Sequence, residues 1–145
     1  MKAVLDTCVI YPTVMREMLL GAAKLGHFTP IWSARILEEW ARAARKLGPT
    51  GEAQARAEIG LIQSQWPKAE RAAQPGLEQR LWLPDDADVH VLATAIASSS
   101  DVIVTMNAKD FPRHTLAEEG IERLDSDQFM LRLCYDAPEA VGQVV

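Results

Sequence analysis

The chain has 145 residues, 48% of them hydrophobic, which is the size of one domain able to bury a substantial core. Fifteen Lys and Arg against twenty Asp and Glu give a formal charge of −5, which excludes a broad nonspecific nucleic-acid surface and leaves room for no more than a local basic strip. No run approaches the roughly 18 to 20 apolar residues that span a bilayer, and two cysteines, Cys8 and Cys134, read as free thiols rather than a disulfide scaffold, so the expectation is a cytoplasmic protein.

Residues 1–145 are expected to form a single domain, with 135–145 a flexible or interface-forming tail. Ala3 to Leu5 reads as a strand that stops at Asp6, and Thr7 to Pro12 as the loop that follows, with Cys8 in a strand-like setting. From Thr13 to Leu25 the residues Val14, Met18, Leu19, Ala22 and Leu25 recur at helical spacing, with Gly26 as terminator. Ile31 and Trp32 lead to Ser33, the expected N-cap of a helix from Ala34 to Leu47 whose apolar face holds Ile36, Leu37, Trp40, Ala41, Ala44 and Leu47. Arg35, Glu39, Arg42 and Lys46 follow at spacings of four, three and four and form one stripe. Such a stripe is usually a solvated, self-paired face; the sharper reading turns Glu39 inward to a metal and the flanking cations toward a phosphate backbone. Glu38, on the other side of the apolar arc, is the alternative acid.

After the break at Gly48 to Gly51, a third helix is expected over Glu52 to Trp66, with Ala55, Ile59, Ile62 and Trp66 as its apolar line. Ala72 to Gly76 reads as a loop. Leu77 to Leu83 is ambiguous, with a short strand possible before Pro84. The segment DDADVHVLATAIA, from Asp85, predicts a mostly buried helix in which Val89, Leu92, Ala93 and Ile96 share one face, Val91 and Ala95 extend it, and His90, Thr94 and Ala97 form the solvent stripe. Asp101 to Thr105 is the clearest strand, and its unbroken apolar run suits a central parallel position. A turn at Gly120 precedes a short strand, Ile121 to Leu124, and a last helix opening at Asp125 or Ser126 with Phe129, Met130 and Leu133 inward.

Strands that alternate with helices predict a mostly parallel sheet covered on both faces, a three-layer α/β/α sandwich. In that arrangement Asp6, Asn107 and Asp110 all follow strand ends on one edge, and the start of the helix carrying Asp88 points there too. Each acid has a simpler role when taken alone: Asp6 as a turn or cap residue, Asp85 and Asp88 as a variant capping box. Gathered together they repel unless protonated or neutralised, and an all-oxygen site selects a hard ion such as Mg²⁺ or Mn²⁺. Phosphodiester hydrolysis is the chemistry such a site suits.

Four stretches, LDTCVIYP, ILEEW, DVHVLATA and IVTMNAKDF, in this order and spacing, resemble the four acidic motifs of PIN domains, especially the VapC-like toxins of bacterial toxin–antitoxin pairs. The resemblance covers Lys2 to about Leu133. It implies a PIN-like α/β/α sandwich and a Mg²⁺- or Mn²⁺-dependent endoribonuclease, commonly a homodimer inhibited by a small antitoxin. By the same resemblance Asp6, Glu39, Asp88 and Asp110 are the catalytic and metal-binding acids, with Asn107 beside the fourth; Arg35 and Arg42, from their place on the stripe with Glu39, are the cations expected to bind RNA. Two positions depart from the pattern: Cys8 stands where many members have Asn, and Asn107 where some carry Asp.

Two other classes compete. A doubly wound phosphatase or phosphoacceptor would use Asp6, but Cys8 occupies the second place of the D-x-D pattern and no phosphate-binding glycine motif occurs. A catalytically impaired PIN-like module that binds RNA or protein is the other. His27, His90 and His114 share no metal-ligand spacing, and Trp32, Trp40, Trp66 and Trp82 are expected in the core or an interface.

Overall fold

The computed structural model describes residues 1–136. Its sheet has five strands in the order β3-β2-β1-β4-β5, with β1 at Lys2–Leu5, β2 at Thr29–Ser33, β3 at Glu70–Arg71, β4 at Val102–Val104 and β5 at Glu122–Leu124. Every neighbouring pair is parallel, in the register Val4 with Ile31 and with Ile103, Trp32 with Glu70, and Val104 with Leu124. Helices cover both faces, so Ala3 to Leu5 of β1 and all of β4 are buried and read as continuous apolar runs. The expected α/β/α sandwich is the fold observed.

The chain winds outward from β1 through β2 to β3, then crosses back to lay down β4 and β5 on the other side. The strand order therefore reverses between β1 and β4, which leaves a crevice beyond their carboxyl ends. All the candidate acids but Glu39 sit in segments that open onto that edge, and Glu39 comes to it on a helix.

Helix α2, Thr13–Lys24, ends as expected: Gly26 takes φ of +86°, a left-handed conformation that releases the chain toward β2. Ser33 caps α3, Ala34–Ala43, by accepting from Ile36 N–H at 3.2 Å. The expected helix to Leu47 tightens into a 3₁₀ turn over Ala44–Leu47, and Leu47 is exposed rather than part of the apolar face. α4, Gly51–Gln65, packs antiparallel beside it. A Cβ on Gly51 would lie 2.3 Å from Ala44 O, so only glycine lets this hairpin close. Α T-shaped pair, Phe28 and Phe129 with ring centroids 4.8 Å apart, docks the last helix α8, Ser126–Asp136, against the start of β2.

Several expectations are corrected. Thr7–Ile10 is a single helical turn, α1, rather than a loop, because Asp6 caps it by accepting from Thr7 N–H at 2.9 Å. The ambiguous stretch before Pro84 contains a short helix, α5, Pro75–Arg80, and no strand. The two-residue strand β3 and the helix α7, Arg113–Ala117, have no counterpart in the sequence reading. Val14 and Leu25 lie outside the core, and Trp82 is exposed.

The largest correction concerns α6, Val89–Ala97, where His90 and Thr94 were expected to face solvent. Both are buried, since the helix lies against β1, β2, β4 and α5 together. Thr94 is satisfied by donating its hydroxyl to His90 O at 2.9 Å. Of the 135–145 tail, residues Tyr135 and Asp136 finish α8; the remainder lies outside the described residues. No helix among the described residues is long and apolar enough to cross a membrane.

Candidate active site

Asp6 follows the last residue of β1, and its backbone N–H still donates to Val104 O, which fixes it beside the end of β4. The residue is 4% exposed and its carboxylate is held from two sides: Thr7 N–H donates to Oδ1 at 2.9 Å, and Thr105 Oγ1 donates to Oδ2 at 2.8 Å. Burial raises the Asp6 pKa above the ordinary carboxylate value; the bonds from Thr105, Thr7 and Cys8 oppose the rise, and the Glu39 charge adds to it. Desolvation is the largest influence, so Asp6 is an ion held at a cost.

Cys8 stands on α1 with its Sγ 3.6 Å from Asp6 Oδ2 and 3.5 Å from Thr105 Oγ1, while Met106 N–H points to it at 3.2 Å. Its thiol is pushed up, chiefly by burial and next by the Asp6 charge, so it remains protonated and supplies a weak donor on the wall of the crevice.

Asp88 ends a 3₁₀ turn, Asp86–Asp88, just before α6. The simpler role proposed for these acids falls to Asp85 alone, which accepts from Ala87 N–H at 2.9 Å; the Asp88 side chain makes no capping bond. The Asp88 carboxyl is raised to about 6, first by desolvation and then by the charges of Asp6, Asp110, Asp85 and Glu39. A carboxyl so placed reports on its neighbours. The folded chain has brought three acids from distant sequence positions, Asp6, Glu39 and Asp110, close enough to push on it.

Asp6, Glu39, Asp88 and Asn107 line one open cavity of about 330 Å³, together with Thr7, Cys8, Tyr11, Ala43 and Lys46. Asp110, in the 3₁₀ turn Ala108–Asp110, is half-buried outside this wall and acts on it through its charge. The choice between Glu38 and Glu39 is resolved by placement. Glu39 faces the cavity, whereas Glu38 is held between Arg42, at 3.0 Å, and Arg56, at 2.9 Å, on the far side of α3. Arg42 therefore sits in an ion pair, and Arg35 lies 3.9 Å from Glu78; both are exposed. Lys46 is the cation that borders the acids.

Sequence reasoning missed Thr105 and Arg16. Thr105 leaves a signal only in retrospect, as a hydroxyl residue at a strand end opposite Asp6. Arg16, buried on α2, donates to Ile10 O and Tyr11 O, both at 2.9 Å, pairs with Glu58, and stacks over Trp40 at 4.5 Å. It clamps the turn between α1 and α2 onto the α3–α4 hairpin, and so sets where α1 carries Thr7 and Tyr11.

The donor set is oxygen-rich and anionic, without a Lys or Arg paired to Asp6, Asp88 or Asp110 among the described residues. That chemistry fits a hard divalent cation. The spacing is looser: among the described residues no group of three His, Cys, Asp or Glu side chains is closed into a metal site. The carboxylates face a common space rather than a common point.

Residues 2–109 match the sequence profile of the PIN domain. The chain belongs to the PIN domain family. The matched span takes in β1 with Asp6, α3 with Glu39, the start of α6 with Asp88, and β4 with Asn107; it stops one residue before Asp110. No significant match was found among curated proteins or among solved structures. Membership gives the protein a nuclease-like, hydrolytic character, and its PIN-like sheet places the acids at the edge where the strand order reverses.

Proposed function

We propose that this PIN domain protein is a Mg²⁺- or Mn²⁺-dependent endoribonuclease. The observation that carries the reading is geometric: Asp6, Glu39 and Asp88, far apart in sequence, line one cavity, and their crowding together with burial raises the Asp88 carboxyl. Asp6, Glu39, Asp88 and Asp110 would hold the ion. When bound, it supplies Lewis acidity toward a phosphoryl oxygen and a water acidic enough to attack.

The protein's own side chains prepare that event. Thr7 and Thr105 fix the direction of the Asp6 carboxylate, so it need not reorganise. Asn107 stands on the cavity wall with an amide able to donate to a phosphate oxygen. Among the described residues Lys46 is the one basic residue on that wall, and it offsets the repulsion that the acids present to an approaching polyanion. Arg35 and Arg42 are the cations proposed to meet the RNA backbone farther out; their exposed ion pairs are weak enough to be exchanged for phosphates. The likeness of the four motifs to VapC-like toxins supports extending the reading to the toxin of a toxin–antitoxin pair, homodimeric and inhibited by a small antitoxin protein.

The test is cleavage of an end-labelled RNA pool with Mg²⁺, with Mn²⁺ and with EDTA, by the unmodified protein and by Asp88→Asn. Metal-dependent cleavage lost in the variant supports the reading. Equal products from both proteins overturn it. Tight RNA binding by the unmodified protein without cleavage under any metal would instead favour a binding module whose site is impaired at Cys8.

A further inference from the structure

We propose that His90 is a positioning residue, whose imidazole steers the Glu39 carboxylate toward the acidic cavity. This rests on the metal-dependent reading above and deepens it by naming what holds one of its acids.

Four buried side-chain nitrogens lack a hydrogen-bond partner among the described residues, and two of them belong to His90. Its side chain is 4% exposed, and Nε2 lies 3.2 Å from Glu39 Oε1, close enough to pair but off the line of a hydrogen bond. An imidazole buried with both nitrogens unmet is a destabilising arrangement, because each polar atom has lost its water and gained nothing in return. An apolar residue of like size would avoid that cost. The ring is presented by a well-fixed stretch of α6, where Thr94 Oγ1 bonds back to His90 O.

Glu39 needs such a partner. Its other contact is Thr7 Oγ1 at 3.4 Å, a long approach from a hydroxyl that also donates to Ile36 O at 3.1 Å. Asp6, by comparison, has two donors at 2.8 and 2.9 Å. A small rotation of the carboxylate would bring Oε1 into line with Nε2–H, which satisfies that nitrogen and leaves Oε2 free to face the cavity. His90 thus acts through Glu39, on the side away from solvent. The orphaned donor and the loosely held acceptor complete each other.

Calorimetric titration of the full chain with Mg²⁺ and with Mn²⁺ tests this, beside thermal unfolding of the ion-free protein. His90→Phe should unfold no lower than the unmodified protein yet bind both ions about tenfold more weakly. His90→Gln, which keeps a donor at similar reach, should recover to within about threefold. In a Glu39→Gln background, His90→Phe should cause no further loss, since the carboxylate that His90 acts through is then gone. Should His90→Phe not fold, His90→Leu takes its place, being smaller than the imidazole.

Unchanged affinity in the Phe or Leu variant overturns the proposal, as does a loss that persists in the Glu39→Gln background. A much larger loss for Mn²⁺ than for Mg²⁺ also overturns it, because that is the mark of a nitrogen bound directly to the ion. No ion uptake by the unmodified protein would overturn the metal reading itself, and this one with it.

Discussion

Two acidic regions of this protein differ in whether arginines pair with their acids. On the outer face of the α3–α4 hairpin, Glu38 and Glu52 are interleaved with Arg42, Arg45 and Arg56, at separations of 2.7 to 3.0 Å for the Glu38 pairs and the Glu52–Arg56 pair. Hydrogen bonds from Arg56 and Arg42 hold Glu38 down at about 2, and those from Arg45 and Arg56 lower Glu52. In the crevice beyond β1 and β4, a comparable set of acids has no arginine partner among the described residues, and Asp88 rises to about 6. The same residue type is thus satisfied on one surface and left in want of a cation on the other. A fold tolerates the second arrangement when something outside the chain completes it.

The sharpest way to break the comparison is to remove one charge from the crevice. Asp6→Asn should lower Mn²⁺ affinity by about 100-fold or more, measured by calorimetry, because it deletes an acid prepositioned by two hydrogen bonds. The ion-free variant should be no less stable in urea, since a carboxylate whose pKa burial raises is replaced by a neutral amide. A marked loss of stability with intact metal affinity would place Asp6 as a helix cap for α1 and nothing more.

Next in size is the response to metal. A ligand that binds only the folded chain adds about 2.7 kcal/mol of stability at 100 times its dissociation constant. Thermal scans with Mg²⁺ should therefore show the melting temperature climbing with ion concentration, by several degrees at saturation. Asp88→Asn should flatten that climb. Potassium chloride at equal ionic strength should not reproduce it, because screening is not coordination.

The pH dependence has a sign that separates the two regions. Asp88 titrates at about 6 in the folded protein against 3.8 as the ordinary value, so between about pH 4 and 6 the folded chain carries the extra proton. Ion-free stability must then fall as pH rises through that window, and burial of Asp6 works in the same direction. Metal affinity runs the other way. It should rise by up to about tenfold per pH unit below 6 and level off above, as the proton that competes for Asp88 is lost. Glu38, held near 2, contributes stability that is lost only in acid, between its ordinary value of 4.5 and about 2. Urea unfolding at pH 3, 5 and 7, with and without Mn²⁺, resolves both limbs.

How much of this was legible beforehand varies with length and with partners. Asp6 and Asp88 could be placed because a strand end and a helix start are marked by local pattern, and the parallel winding of the sheet puts such ends on one edge. α1 and β3 were lost because one turn, or two residues, is too short to show a period. His90 was misplaced for another reason. A helical projection sends a polar residue to solvent, but α6 has sheet and helix around it and little solvent side to offer. The Arg35, Glu39, Arg42, Lys46 stripe divides for a similar cause. Arg42 is drawn to Glu38, which also binds Arg56 on α4, while Glu39 and Lys46 turn to the cavity. No local spacing announces that α4 will bring Arg56 there.

The smallest expected effect is the most specific check on the contrast. Glu38→Gln removes the centre of the outer network, yet its partners Arg42 and Arg56 are exposed and can turn to water. Exposed pairs contribute little to stability, so the melting temperature should move by a few degrees at most, and less in high salt. Metal affinity should not move at all, because Glu38 points away from the crevice. One property could even gain: Arg42, freed from its pair, becomes available to a phosphate, so RNA affinity measured with EDTA present should stay level or rise, with a steeper dependence on salt. If Glu38→Gln instead weakened ion binding as much as Asp6→Asn, the acid that serves the crevice would be the one on the hairpin's outer face, and the division between the two regions would have to be redrawn through α3 itself.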